Sequence, residues 1–265
     1  EDDRTKHTAT INANIGPVFI AYRDVPEIRQ VLAPIPQQTA PLYDFVDELK
    51  VRHRVWPVAD TATIEKLFAE KVPVSYIADG HHRSASAVRV GAERRAANPN
   101  HTGNEEYNWF LSVLFPASEL KILPYNRAVK DLHGLAPAEF LAQVKGLFTV
   151  TENPDPSPKT PRQVSMYLGG KWYGLSWPEV QSANPVDKLD VSVLQNRVLK
   201  PLLGIDDPRT SQRIKFIGGI RGPQELVKLV DQKGYAVAFS MYPTTVDQLM
   251  AIADAGQIMP PKSTW

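Results

Sequence analysis

An acid, a glycine, two histidines and an arginine stand in one run, Asp79 to Arg83, inside the stretch SYIADGHHRSASA. If Asp79 ends the apolar strand VSYIA (74–78) and Gly80 turns the chain, then His81, His82 and Arg83 fill the first turn of a helix. Unbonded backbone N–H groups and the positive end of the helix dipole face outward there, which is chemistry for an anion. Gly80 lets a ligand oxygen approach the backbone, and Arg83 offers a planar fork suited to phosphate. Ser84 and Ser86 add hydroxyls, while Ala85 and Ala87 permit close packing on a sheet. Asp79 fits beside an anion only if it holds Mg²⁺ or takes a proton. Asp79 and His82 are therefore the candidate reactive pair, with His81 supporting. The plainer reading is a helix cap with two half-exposed histidines. Adjacent helical residues point about 100° apart, so His81 and His82 are poorly placed to chelate one metal ion.

Other positions carry related chemistry. Arg127 follows the turn LPY and either reaches the same phosphate or pairs at the surface. FIGGIRGPQEL (216–226) is a second glycine-rich turn with Pro223 at a helix start, but it lacks the Gly-Lys-Ser/Thr of a phosphate loop. Glycines at tight connections serve sterics, and Arg221 alone keeps a functional reading open. In MPPKSTW, Lys262, Ser263 and Thr264 follow a rigid Pro-Pro, as an anion clamp would or as a plain extended tail. Asp254 and the pair Asp206 and Asp207 are acids available to Mg²⁺, though no spacing demands it. LDVSVLQNRVLKPLLGI reads as a packed amphipathic helix.

These residues must be held by a core, and 265 residues with 43% hydrophobic content supply one large domain or two modest ones. Thirty basic against 29 acidic residues leave a net charge of +1, so any anion affinity is local, and neither nucleic acid nor membrane is a supported partner. The absence of cysteine excludes disulfides and thiolate chemistry. No apolar run nears the roughly 20 residues of a bilayer span, so a cytoplasmic protein with a small-molecule substrate is expected. Oligomeric state is not legible.

Strands are expected at 16–22, 53–58, 74–78 (buried), 107–115, 214–219 and 236–243. A Gly-Gly hairpin is expected in VSMYLGGKWYGL. Helices are expected at 61–71, capped by Asp60 or Thr61, and at 81–96, 137–147, 190–200, 223–231 and 244–254. The helix at 61–71 would bury Ile64, Leu67 and Phe68, and that at 137–147 Phe140, Leu141, Val144 and Leu147. Four prolines limit 26–49 to short helical pieces. Alternating strands and helices make the fold α/β, or mixed α+β. The expected division is 1–130, carrying the phosphate turn, and 131–265, a C-terminal α/β subdomain.

YIADGHHR, LPYNRAV, LDVSVLQNRVLKPLLGI, AVAFSMYPTTVDQLM and MPPKSTW together resemble the bacterial and archaeal family catalogued as domain of unknown function 1015, over essentially the whole chain. More distantly, the strand–Gly–x–His–Arg–helix turn is similar to the phosphate-binding turn of the ParB/sulfiredoxin superfamily. That superfamily includes sulfiredoxin, the CTP-binding domain of ParB, and free-serine kinases using ADP or ATP. The resemblance implies a nucleotide phosphate at 80–84. Together with the residue readings above, Gly80, Arg83, Ser84, Arg127 and Lys262 are the candidate cofactor-binding residues, and ATP or ADP with Mg²⁺ the expected cofactors. Family members often carry Tyr and His where Ser84 and Asn126 stand here, and Asn cannot titrate. The resulting expectation is a phosphotransferase acting on a small hydroxylated metabolite such as free serine. A nucleotide-gated switch and a phosphate-ester hydrolase are the alternatives. The resemblance also implies further chain before Glu1 and after Trp265, and an open face with uncovered apolar surface around Asp79.

Overall fold

The computed structural model describes residues 2–264, so Glu1 and Trp265, the last residue of the MPPKSTW tail, lie outside the described residues. The chain divides into two compact units, 1–120 and 121–265.

In the N-terminal unit, α1 (Asp2–Ile11) precedes β1 (Val18–Tyr22), α2 (Pro26–Leu32) and α3 (Ile35–Gln38). A hairpin follows, β2 (Tyr43–Val46) and β3 (Arg52–Val55), then α4 (Thr61–Lys71), β4 (Ser75–Asp79), α5 (His81–Ala97) and β5 (Ser112–Pro116). The sequence offers neither cap nor apolar face for a helix at the amino end, yet α1 forms; Asp2 and Asp3 in its first turn complement the dipole. β2 replaces part of what reads as short helical pieces, and both hairpin strands are exposed along their length. Asp60 caps α4 by accepting from Thr63 N–H at 3.1 Å, and Ile64, Leu67 and Phe68 are its half-buried face.

The sheet of this unit runs β4-β1-β5, with β4 antiparallel and β5 parallel to β1. The expectation of a buried strand at 74–78 is corrected here: β4 is an edge strand and only Tyr76 is buried. The strand expected at 107–115 is likewise shorter, because residues 106–108 form a 3₁₀ turn and pairing begins at Ser112. α5 buries Ser84, Ser86 and Val90, whereas Ala85 is exposed and makes no packing surface. Its close approach comes at Gly91, where a Cβ would stand 2.7 Å from the Tyr107 carbonyl oxygen.

The C-terminal unit is a six-stranded antiparallel sheet ordered β10-β6-β11-β8-β9-β7. Its strands are β6 (Tyr125–Val129), β7 (Thr149–Glu152), β8 (Gln163–Leu168), β9 (Lys171–Ser176), β10 (Ile214–Gly218) and β11 (Val237–Met241). Its helices are α6 (Pro137–Leu147), α7 (Asp190–Leu194), α8 (Gly222–Lys233) and α9 (Val246–Asp254). Side chains alternate across the sheet. Val129, Met166 and Phe239 join Phe140, Val144 and Leu194 in one core, while Ala128, Tyr167 and Ala238 pack with Leu226 and Leu229 of α8 in another. Gly169 and Gly170, both at positive φ, make the β8–β9 turn.

Two helix expectations are corrected. Leu147 is exposed and Phe148 is buried in its stead. The segment 190–200 is not a single amphipathic α-helix: all of α7 is buried, and the chain continues as a π-helical turn, Gln195–Leu199, closed by Lys200 N–H to the Gln195 carbonyl at 2.9 Å, with Asn196 and Lys200 exposed and Val198 and Leu199 buried. Among the described residues no helix is long and apolar enough to cross a membrane.

Candidate functional site

Antiparallel pairing brings the carboxyl end of β4 beside the start of β1, with Asp79 opposite Phe19. The register shifts by one residue between Phe19 and Ile20, leaving Ala78 extra in β4. A bulge of this kind re-aims the side chains next to it, and here the next residue is Asp79. Gly80 then adopts φ 94°, ψ 25°, a left-handed conformation that few other residues hold without strain, and α5 begins at His81.

Arg83 folds back over this glycine. Its Nε donates to the Pro17 carbonyl at 3.1 Å and its Nη2 to Asp79 Oδ2 at 3.3 Å. The acid at the turn thus has a partner that sequence reasoning did not assign to it. Ser84 is buried, and its hydroxyl donates to the His81 carbonyl at 3.0 Å.

A cavity of about 420 Å³ opens at this turn. Asp79, Gly80, His81, His82 and Arg83 line it, as does Ser86; Ser84 does not. Sequence reasoning missed a second wall: Arg4, His7 and Thr8 from α1. Their i, i+3, i+4 spacing is the signal that one helical face collects them. α1 lies against α5, where Arg89 Nη1 meets Asp2 Oδ1 at 2.7 Å and the Arg94 guanidinium bonds the Asn12 side chain and the Ala9 carbonyl. Two arginines and three of the chain's six histidines face this one space, against a single lining carboxylate, Asp79. Ser86 is 1% exposed, and its hydroxyl has no hydrogen-bond partner among the described residues.

Arg127 and Lys262 are in the C-terminal unit, and the fold brings them together. Arg127 Nη2 donates to the Lys262 carbonyl at 3.1 Å, and Lys262 Nζ stands 5.8 Å over the Tyr125 ring. Asn126 is buried and its Oδ1 accepts from Met241 N–H at 2.9 Å, a tie between β6 and β11 rather than a titrating group. The tail is docked: Ser263 is buried, its carbonyl accepts from Thr244 Oγ1 at 3.0 Å and its hydroxyl donates to the Pro260 carbonyl at 2.6 Å. The glycine turn at 218–222 has a steric reason, since a Cβ on Gly219 would meet Pro124 at 2.5 Å. Asp207 is held by Arg209, whose Nη2 lies 2.8 Å from Oδ2 and keeps the carboxyl below its usual range. Among the described residues no group of three or more His, Asp or Glu side chains converges as a metal site.

A mixed α/β protein with a basic cavity at a strand–glycine–helix turn is the class that this geometry defines. The chain belongs to the DUF1015 family, described as protein of unknown function, whose model matches residues 1–192. No curated protein matches the chain. Among solved structures, a free serine kinase in complex with AMP is similar at 16% identity, covering 79% of this chain and 80% of that one, with a TM-score of 0.40. A variant free serine kinase in complex with ADP is similar at 15% identity over 93% of this chain and 83% of the other, TM-score 0.39. A conserved hypothetical protein from Pyrococcus furiosus is similar at 13% identity over 100% of this chain and 81% of that one, TM-score 0.38.

Proposed function

We propose that the cavity at the amino end of α5 binds the phosphates of ATP or ADP, and that the protein transfers a phosphoryl group to a small hydroxylated metabolite such as free serine. The observation that carries this reading is the convergence of Arg4, Arg83, His7, His81 and His82 on one space also lined by Ser86, whose hydroxyl has no partner among the described residues. Positive groups fixed around a transferring phosphoryl group supply most of what phosphoryl-transfer catalysis requires. The likeness of the turn to that of the ParB/sulfiredoxin superfamily supports the same reading.

In the transfer, the bond from the terminal phosphorus to the nucleotide's bridging oxygen breaks and a bond to the acceptor oxygen forms. The acceptor's hydroxyl proton passes to His82 or Asp79, with His81 supporting. Arg83 and the backbone after Gly80 hold phosphate oxygens. Asp79 would be a carboxylate contact for Mg²⁺, an ion that keeps several of its waters and is bound through one or two carboxylates together with substrate phosphates. When bound, the ion neutralises charge on the phosphates.

Calorimetric titration of ATP and ADP, with and without Mg²⁺, tests the binding. Arg83→Ala is expected to weaken it by about 1.5–3 kcal/mol, the size of a charge-assisted hydrogen bond. Crystals soaked in nucleotide or sulfate should place the anion against Arg83; an anion bound elsewhere with this turn empty overturns the reading. Phosphoserine formation from free serine tests the transfer.

A further inference from the structure

Outside that cavity, Arg127 is a charged side chain buried within the C-terminal unit. It is 3% exposed on β6, beneath the Phe216 ring, whose centroid lies 5.4 Å from the guanidinium carbon. Its hydrogen bonds go to two backbone carbonyls, those of Tyr125 and Lys262, and no carboxylate pairs with it among the described residues. Burial without an acid pushes its pKa down to about 10. A buried cation left this way is costly, and proteins otherwise pair it.

The same arginine lines a cavity of about 480 Å³ within the C-terminal unit. A second buried donor belongs to a residue of the same lining: Ser192 of α7 is 6% exposed, and its hydroxyl is buried with no partner among the described residues. The π-helical turn carries Gln195 and Asn196 to the same wall. Three acids stand in the lining, Asp187, Asp206 and Asp207. Asp207 is paired with Arg209, and Asp206 lies 3.9 Å from Lys200 Nζ. Asp187 is exposed and, among the described residues, its carboxylate accepts from the Ser182 hydroxyl alone, at 2.8 Å. One cavity therefore holds a buried cation without an acid and a lining acid without a cation.

We propose that this cavity is a binding site for a free α-amino acid, its carboxylate held by Arg127 and Ser192 and its ammonium directed to Asp187. A carboxylate matches the planar guanidinium fork and one hydroxyl donor. It also brings the single negative charge that Arg127 lacks. A phosphate dianion brings a second negative charge into a lining that already holds three acids. The assignment is independent of the phosphate cavity, because every residue it uses belongs to the C-terminal unit.

The test is thermal-shift and calorimetric titration of the full chain with the proteinogenic L-amino acids. The best of them is then compared with its carboxamide, with the matching carboxylic acid lacking the amino group, and with inorganic phosphate. Saturable binding is expected, falling at least about tenfold, or 1.4 kcal/mol, when either charged group is removed from the ligand. Ser192→Ala and Asp187→Asn should each weaken it several-fold without lowering the unfolding midpoint of the unliganded protein. Arg83→Ala should leave it unchanged. Arg127→Gln should abolish it, but that variant risks misfolding, so the two milder substitutions carry the test. Failure of every amino acid to bind, phosphate binding that Ser192→Ala weakens, or amino-acid binding insensitive to both milder substitutions would each overturn the proposal.

Discussion

Arg83 lies so close over Gly80 that a Cβ built on the glycine would stand 3.0 Å from Nη2 and 3.2 Å from Nε. The turn takes glycine for its positive φ, and a Cβ there would also crowd the guanidinium, which would have to give by a few tenths of an ångström. Gly80→Ala is expected to cost about 1–2 kcal/mol from left-handed strain and to push Arg83 off the Asp79 carboxylate and the Pro17 carbonyl. Urea midpoints read the first effect and sulfate or nucleotide titration the second. A variant with unchanged midpoint and unchanged anion affinity would show that the guanidinium position does not matter.

Asp79 and Arg83 form an exposed pair, 74% and 42% accessible at their side chains, so their bond adds little to stability. Asp79→Asn should therefore move the unfolding free energy by less than about 1 kcal/mol. The same change should remove phosphoryl transfer while nucleotide affinity stays within a few-fold, because it takes away the proton acceptor or Mg²⁺ contact and leaves Arg83 in place. Full activity in this variant would reduce Asp79 to a partner of Arg83 and leave His82 as the one remaining candidate base.

The turn from Asp79 to Arg83 was legible because it is local: strand residues, a glycine and a charged first helical turn follow one another in sequence. The opposing wall was not. α1 buries only Thr5 among its ten residues, so hydrophobic periodicity, the usual sign of a helix, is missing from it. Its face is written instead in Arg4, His7 and Thr8. β4 misled because an apolar run reads alike in a central and an edge strand, and only pairing decides between them. The helix at 190–200 misled for a related reason. Its polar members, Asp190 and Ser192, suggest an outer face, yet tertiary packing buries both. Arg127 and Lys262 stood out as cations, but their contact joins β6 to the far end of the chain, which no spacing rule reaches.

Ser86 offers a test of whether the α5 cavity is built for a ligand. A buried hydroxyl with no partner costs about 1–3 kcal/mol of desolvation, and it persists here where it lines a basic cavity. Ser86→Ala should leave the unliganded protein as stable as the parent, or more stable by about 1 kcal/mol. Nucleotide affinity should fall in the same variant. Calorimetry with ADP beside urea unfolding separates the two effects. Loss of stability together with unchanged affinity would make Ser86 a packing residue.

Asp190 supplies a pH signature in the C-terminal unit. Its carboxylate accepts from Arg162 N–H at 3.0 Å, but burial outweighs that bond and pushes the pKa up to about 6 from an ordinary 3.8. The folded chain therefore holds a proton that the unfolded chain releases earlier. The contribution of this group is most favourable below pH about 4, declines as pH rises toward the folded value, and is flat above it, for a total of about 3 kcal/mol. Asp190→Asn keeps an acceptor for Arg162 and cannot ionise. Unfolding free energies of parent and variant should diverge in the variant's favour between pH 4 and 7, by up to about 3 kcal/mol. A difference that stays constant with pH, or that runs in the opposite direction, would mean that Asp190 is not desolvated in the folded protein.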